Sequence, residues 1–137
     1  YIERGSGSVV GLGGGIYNSG ALAVTRSVIS HNDSAAAFLP GGGGGIFNAH
    51  TGTLTVTEST ISNNTGTGGG GISNGGELVV TRSTVSGNSS SFGGGISSVG
   101  SSGSATVINS TISGNNAGLN SGGIYNANVL TVVNSVI

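Results

Sequence analysis

The sequence predicts an all-β, single-domain, right-handed parallel β-helix (a β-solenoid) of about five coils with three strands per coil. Three observations carry this. Five segments of eight residues match one another, at residues 22–29 (LAVTRSVI), 54–61 (LTVTESTI), 78–85 (LVVTRSTV), 105–112 (ATVINSTI) and 130–137 (LTVVNSVI). A Gly-Gly-Ile element precedes each one, at residues 14–16, 44–46, 70–72, 94–96 and 122–124, so the isoleucines recur at intervals of 30, 26, 24 and 28 residues. The apolar segments are short, alternate in polarity and sit between Gly/Ser/Asn clusters. Self-similarity at that period is the signature of coils that stack on their neighbours. One domain covers residues 1–137, with a partial coil at 1–13 and repeats beginning near 14, 44, 70, 94 and 122.

Within a repeat the columns read as strands. Leu22, Leu54, Leu78, Ala105 and Leu130 form one column; Val24, Val56, Val80, Val107 and Val132 form another two positions on. Residues i and i+2 of a strand face the same way, so both columns point inward. Ile29, Ile61, Val85, Ile112 and Ile137 stand five positions beyond the valines. That odd spacing breaks the period of two and demands a bend, where Ser27, Ser59, Ser83, Ser110 and Ser135 sit. A serine hydroxyl satisfies backbone groups at such a corner. Asn32, Asn64, Asn88 and Asn115 follow the isoleucines, and Asn18, Asn48, Asn74, Ser98 and Asn126 follow the Gly-Gly-Ile strands. Asparagine tolerates left-handed backbone and can bond its amide to the coils above and below, so both columns are expected to stack as ladders. Length variation clusters at two corners, one after the first asparagine column (longest at residues 33–43) and one before the leucine column (longest at residues 98–104), as expected for loops along the edges of a solenoid. The right hand follows from the general preference of parallel crossovers.

Composition narrows function. Three arginines, no lysine and four carboxylates leave a net charge of −1, with no basic stripe to neutralise phosphates and none to anchor a membrane surface. Neither nucleic-acid binding nor membrane insertion is expected, because no apolar run approaches the roughly 20 residues of a membrane helix. Cysteine is absent, which leaves no redox signal; the first residue is Tyr1 rather than Met, so the sequence reads as a processed product or a piece of a longer chain. A Gly/Ser/Thr/Asn-rich surface with little charge fits an extracellular or cell-surface location.

The run Gly-Gly-Gly-Ile-Tyr-Asn, a short gap, then Leu-Thr-Val-x-Asn-Ser-Thr-Ile-Ser-Gly-Asn resembles the repeats of bacterial surface and secreted parallel β-helix proteins. These include adhesin-like and autotransporter-passenger proteins. The Gly-Gly-Ile element is distantly similar to that of polymorphic outer-membrane-protein repeats, whose second element, Phe-x-x-Asn, is not matched. The resemblance spans nearly the whole chain and implies a surface scaffold.

Catalysis is not expected. Glu3, Asp33, Glu58 and Glu77 fall in four different contexts of the repeat, and there is no lysine to act as a base, so the clustered carboxylates of a lyase, glycosidase or calcium site are missing from the pattern. His31 and His50 occupy different corners, which predicts neither a metal nor a cofactor. Arg26, Glu58 and Arg82 share a column, expected to form an exposed salt ladder worth at most about 1 kcal/mol per pair. Sequons at Asn32, Asn63, Asn88 and Asn109 are candidate glycosylation sites, although the repeat itself demands these residues. Outward threonines (Thr55, Thr106, Thr131 and Thr25, Thr57, Thr81) raise an ice-binding alternative, interrupted by Ala23, Val79, Ile108 and Val133. Tyr17, Phe47 and Tyr125 share another column, broken by Ser73 and Ser97, and keep carbohydrate binding or carbohydrate chemistry as the runner-up function, with surface glycans as partners.

The leading expectation is an extracellular structural or interaction solenoid: an adhesin-like scaffold, or the subunit of a self-assembling filament. No capping element is evident, so the open coils are expected to be covered by neighbouring repeats of a longer chain or by a second copy stacked head to tail. Tyr1, Ile2, Val9, Val10, Val136 and Ile137 are the candidate self-association residues.

Overall fold

A computed structural model of the protein describes residues 1–3, 5–7, 13–34 and 41–137. Alternating apolar and β-branched residues build the longest strands, Ala21–Thr25, Thr53–Thr57, Glu77–Thr81, Ser104–Ile108 and Val129–Val133. Stacked in parallel, they pair residue for residue: Leu54 with Leu78 and Leu78 with Ala105, Val56 with Val80 and Val80 with Val107. We call this the long sheet. After the bend comes a three-residue strand in each coil, Val28–Ser30, Thr60–Ser62, Thr84–Ser86 and Thr111–Ser113, joined by Ile2–Glu3 at one edge; this is the Ser/Thr sheet. The Gly-Ile sheet comprises Ile16–Asn18, Ile46–Asn48, Ile72–Asn74, Ile96–Ser98 and Ile124–Asn126.

These are the three expected strands per coil, and every strand pair is parallel. The structure adds a fourth, two-residue ladder just past the first asparagine column: Ser6–Gly7, Asp33–Ser34, Thr65–Gly66, Ser89–Ser90 and Asn116–Ala117. Two residues with no apolar alternation give no strand signal in sequence. The pairing arises because the asparagine just before each short strand and the glycine corner after it hold neighbouring coils in register.

The core is one apolar column set. Leu54, Leu78, Ala105, Val56, Val80, Val107, Ile61, Val85, Ile112, Ile46, Ile72 and Ile96 are fully buried, and Ile16, Leu22 and Ile124 pack against them. The expectation that every inward Leu/Val/Ile is buried fails at the last coil, where Leu130, Val132 and Ile137 are exposed. Their side chains have core neighbours on one side only, since a solenoid buries its interior by stacking.

Coils come close enough to touch through backbone at the Gly-Gly corner. An added Cβ at Gly70 would meet the Gly94 carbonyl oxygen at 2.4 Å and the Ser89 amide nitrogen at 2.6 Å. No side chain fits there, which explains the repeated glycine pair.

Candidate functional site

The polar columns are consumed by stacking. In the first asparagine ladder the Nδ2 of Asn32, Asn64 and Asn88 donates to Oδ1 of Asn64, Asn88 and Asn115 at 2.9–3.0 Å. The backbone N–H of each donor residue reaches the same oxygen. Each Nδ2 also donates to a carbonyl one coil back, Asn64 to Ile29 and Asn115 to Val85 among them. The serine column works similarly: backbone N–H of Ser27, Ser59, Ser83 and Ser110 donates to the hydroxyl of the next serine at 3.1 Å, ending on Ser135. That hydroxyl in turn donates to the carbonyl two residues before its own position, as from Ser83 to Thr81. In the second ladder Asn18 donates to Asn48 at 2.7 Å and Asn48 to Asn74 at 2.8 Å, after which Asn74 donates to the hydroxyl of Ser98. Asn126 closes the column with its Oδ1 buried and unpartnered, because the serine side chain above it is too short to reach across.

The left-handed positions lie one residue earlier than the sequence suggests. Positive φ occurs at Arg26, Glu58, Arg82, Asn109 and Asn134, just before the serines, and at His31, Asn63, Gly87 and Gly114, just before the asparagines. The ladder asparagines therefore serve through their amides, and the turn itself is made by an exposed residue of variable type. Of the expected Arg26–Glu58–Arg82 salt ladder only one rung forms among the described residues: Arg82 Nη2 lies 2.9 Å from Glu58 Oε1. Their side chains are 55% and 45% exposed, so the pair contributes little.

This geometry divides the sequons. Asn63 and Asn109 project from corners and are exposed. Asn32 and Asn88 are buried with Nδ2 already donating twice, so they are not acceptors in the folded protein, which corrects the expectation for those two. Of the residues expected to self-associate, Tyr1, Ile2, Val136 and Ile137 are exposed, and Val9 and Val10 lie outside the described residues.

One outer face is not flat. On the Gly-Ile sheet Tyr17, Phe47, Ser73, Ser97 and Tyr125 pair in that order from coil to coil. Tyr17 and Phe47 stack, with ring centroids 5.6 Å apart and planes 12° from parallel. The two serines interrupt the aromatic column and leave two adjoining hollows. One, of about 220 Å³, is lined by Phe47, His50, Ser73, Val99 and Gly100 among others. The second, of about 270 Å³, is lined by Phe92, Ser97, Val99 and Tyr125. Ser73 is 3% exposed and Ser97 1%. The sequence shows the column but not Phe92, Val99 and His50, which arrive from loops of unequal length and so carry no periodic signal.

The stacked coils and their polar ladders define a parallel β-solenoid. The model of the right-handed β-helix region matches residues 9–137, and the chain belongs to that family. No curated protein and no solved structure matches the chain.

Proposed function

We propose that the protein is an extracellular structural and interaction solenoid, an adhesin-like scaffold that presents its outer faces at the cell surface and carries out no catalytic step of its own. The observation that carries this is the commitment of the polar residues. Both asparagine columns and the serine column spend their hydrogen-bonding capacity holding coil to coil, which makes a stiff rod rather than a constellation aimed at one point. The outer faces are then free to make contacts. Sparse charge supports close association with neighbours, since little repulsion opposes it.

The exposed inward side chains of the last coil support a second element of the reading: in the assembled protein another parallel coil covers Leu130, Val132 and Ile137. A second copy docked head to tail would supply it through a contact that propagates instead of closing. Protease shaving and antibody labelling of intact producing cells test the location. Protein that stays inaccessible until the cells are broken would sink the surface reading. Electron microscopy of the purified chain tests the assembly: rods of many subunits are expected at high concentration, and single particles at every concentration would remove the second copy.

A further inference from the structure

We propose that Asn74-Gly75 is a self-modifying site, silent while the coils are stacked and converted irreversibly once they part, so that it records unfolding. The reactants are the chain's own backbone and water, and the inference holds whatever the location of the protein.

The chemistry is set by the residue that follows the asparagine. A backbone nitrogen that gives up its proton attacks the side-chain carbonyl of the asparagine before it. An N–Cγ bond forms, a succinimide ring closes, and Nδ2 takes up that proton and leaves as ammonia. Water then opens the ring at either carbonyl, giving aspartate or isoaspartate with no change in oxidation state. This reaction is one reason asparagine counts among the thermolabile residues. A side chain on the attacking residue shields its nitrogen, and glycine has none. Asn74 is the only asparagine in the sequence that precedes a glycine; the rungs before it, Asn18 and Asn48, precede Ser19 and Ala49.

Stacking locks each participant. The Gly75 nitrogen donates its proton to the Asn48 carbonyl at 2.7 Å, so losing that proton breaks a bond between coils. The leaving group, Nδ2, is held by the Gly76 carbonyl at 2.9 Å, the Ser98 hydroxyl at 3.0 Å and the Ser104 carbonyl at 3.1 Å. Oδ1 accepts from Asn48 Nδ2 at 2.8 Å. Three successive coils therefore grip one amide, which is 1% exposed and shut away from water.

The product does not fit the ladder. A carboxylate there can still accept from Asn48, but it gives no proton to the Gly76 and Ser104 carbonyls and sets a buried charge against their oxygens. Isoaspartate also routes the main chain through the side chain and lengthens it by a methylene. That breaks the pairing of Asn74 with Asn48 on one side and Ser98 on the other. A coil that has opened long enough to convert is thereby kept from restacking.

The test holds the full chain in mildly alkaline buffer, folded or in urea, and follows each asparagine by peptide mass spectrometry with enzymatic detection of isoaspartate. In urea Asn74 should convert ahead of every other asparagine, and Gly75→Ala should slow it severalfold. In the folded chain conversion waits for a local opening and should be at least about a hundredfold slower. Ser98→Ala removes one of the three acceptors and should speed conversion of the folded chain about fivefold. If that variant does not fold, amide exchange at Gly75 in the parent replaces it and should be slowed as strongly as the conversion. Chain converted in urea should refold with a lowered melting temperature or not at all. Chain held in urea as long at mildly acid pH, where the nitrogen keeps its proton, should regain the parent curve. The proposal is overturned if the folded chain converts as fast as the unfolded one, if another asparagine leads in urea, or if the converted chain melts like the parent.

Discussion

Asn74 Nδ2 donates to the Ser98 hydroxyl at 3.0 Å, and the amide ladder ends at that bond. One coil further on, Asn126 Oδ1 is buried with no donor. Serine can accept from the coil above but cannot span to the coil below. Restoring the repeat residue with Ser98→Asn should give Asn126 its donor and raise stability by about 1 kcal/mol. Chemical denaturation measures this, and a variant less stable than the parent would mean that the 98–104 loop leaves no room for the longer side chain.

Removing an amide from mid-ladder should be far more costly. Asn64→Ala leaves both donors of Asn32 without their acceptor and the Ile29 carbonyl without its donor, all in the interior. At about 1–3 kcal/mol for each unsatisfied buried group, a loss of about 3 kcal/mol or more is expected. Asn115→Ala, at a partly exposed rung, should lose less than half as much. Equal losses in thermal melts of the two variants would show that burial does not set the ladder's strength.

The corner before the serines separates backbone strain from charge. Arg82 has φ of 47° and an exposed ion pair with Glu58. Glycine there loses a pair worth up to about 1 kcal/mol and relieves left-handed strain of about 1–2 kcal/mol, offset by its own entropy in the unfolded chain. Arg82→Gly should thus stay near the parent, whereas Arg82→Val, β-branched in a left-handed position, should be clearly destabilised. If urea melts placed the glycine variant well below the valine variant, the ion pair would matter more than the turn.

Glycines should divide by what a methyl group meets. Gly70→Ala drives Cβ into the backbone of Gly94 and Ser89 in the next coil and should prevent the coils from closing. Gly20→Ala meets nothing within 4 Å and should be neutral or stabilise by up to about 1 kcal/mol through the unfolded state. Circular dichroism of both variants decides it.

Expression through a glycosylating secretory pathway should modify Asn63 and Asn109 and leave Asn32 and Asn88 bare. Mass spectrometry of peptides from the folded product reads this directly. Glycans on Asn88 would be incompatible with the Asn88–Asn115 bond at 2.9 Å.

Periodic features were legible in the sequence because stacking forces like residues into one column. The Val56–Val80–Val107 core line, the serine corner and the Asn64–Asn88 ladder follow from spacing alone. What escaped was aperiodic or displaced by one position. The two-residue strand at Thr65–Gly66 has no alternation to detect. The left-handed residue is Asn63 rather than Asn64, since the amide that bonds along the stack needs an ordinary backbone. The second hollow depends on Phe92 and Val99 meeting beside Ser97, a coincidence of loops that no column records.

Residue-for-residue pairing without stagger makes the coil a quantum of length. Excising one repeat between equivalent positions would join surfaces that are already complementary, and duplicating one would add about 4.8 Å of rod for 24 to 30 residues of sequence. Recombination among the repeats is therefore a ready route to longer and shorter versions that all fold. The hollows set the limit on that freedom, because their parts are spread over consecutive, non-identical coils. An exchange within residues 46–126 would reshape the hollows of the Gly-Ile sheet, whereas one outside that span would change only how far the rod extends.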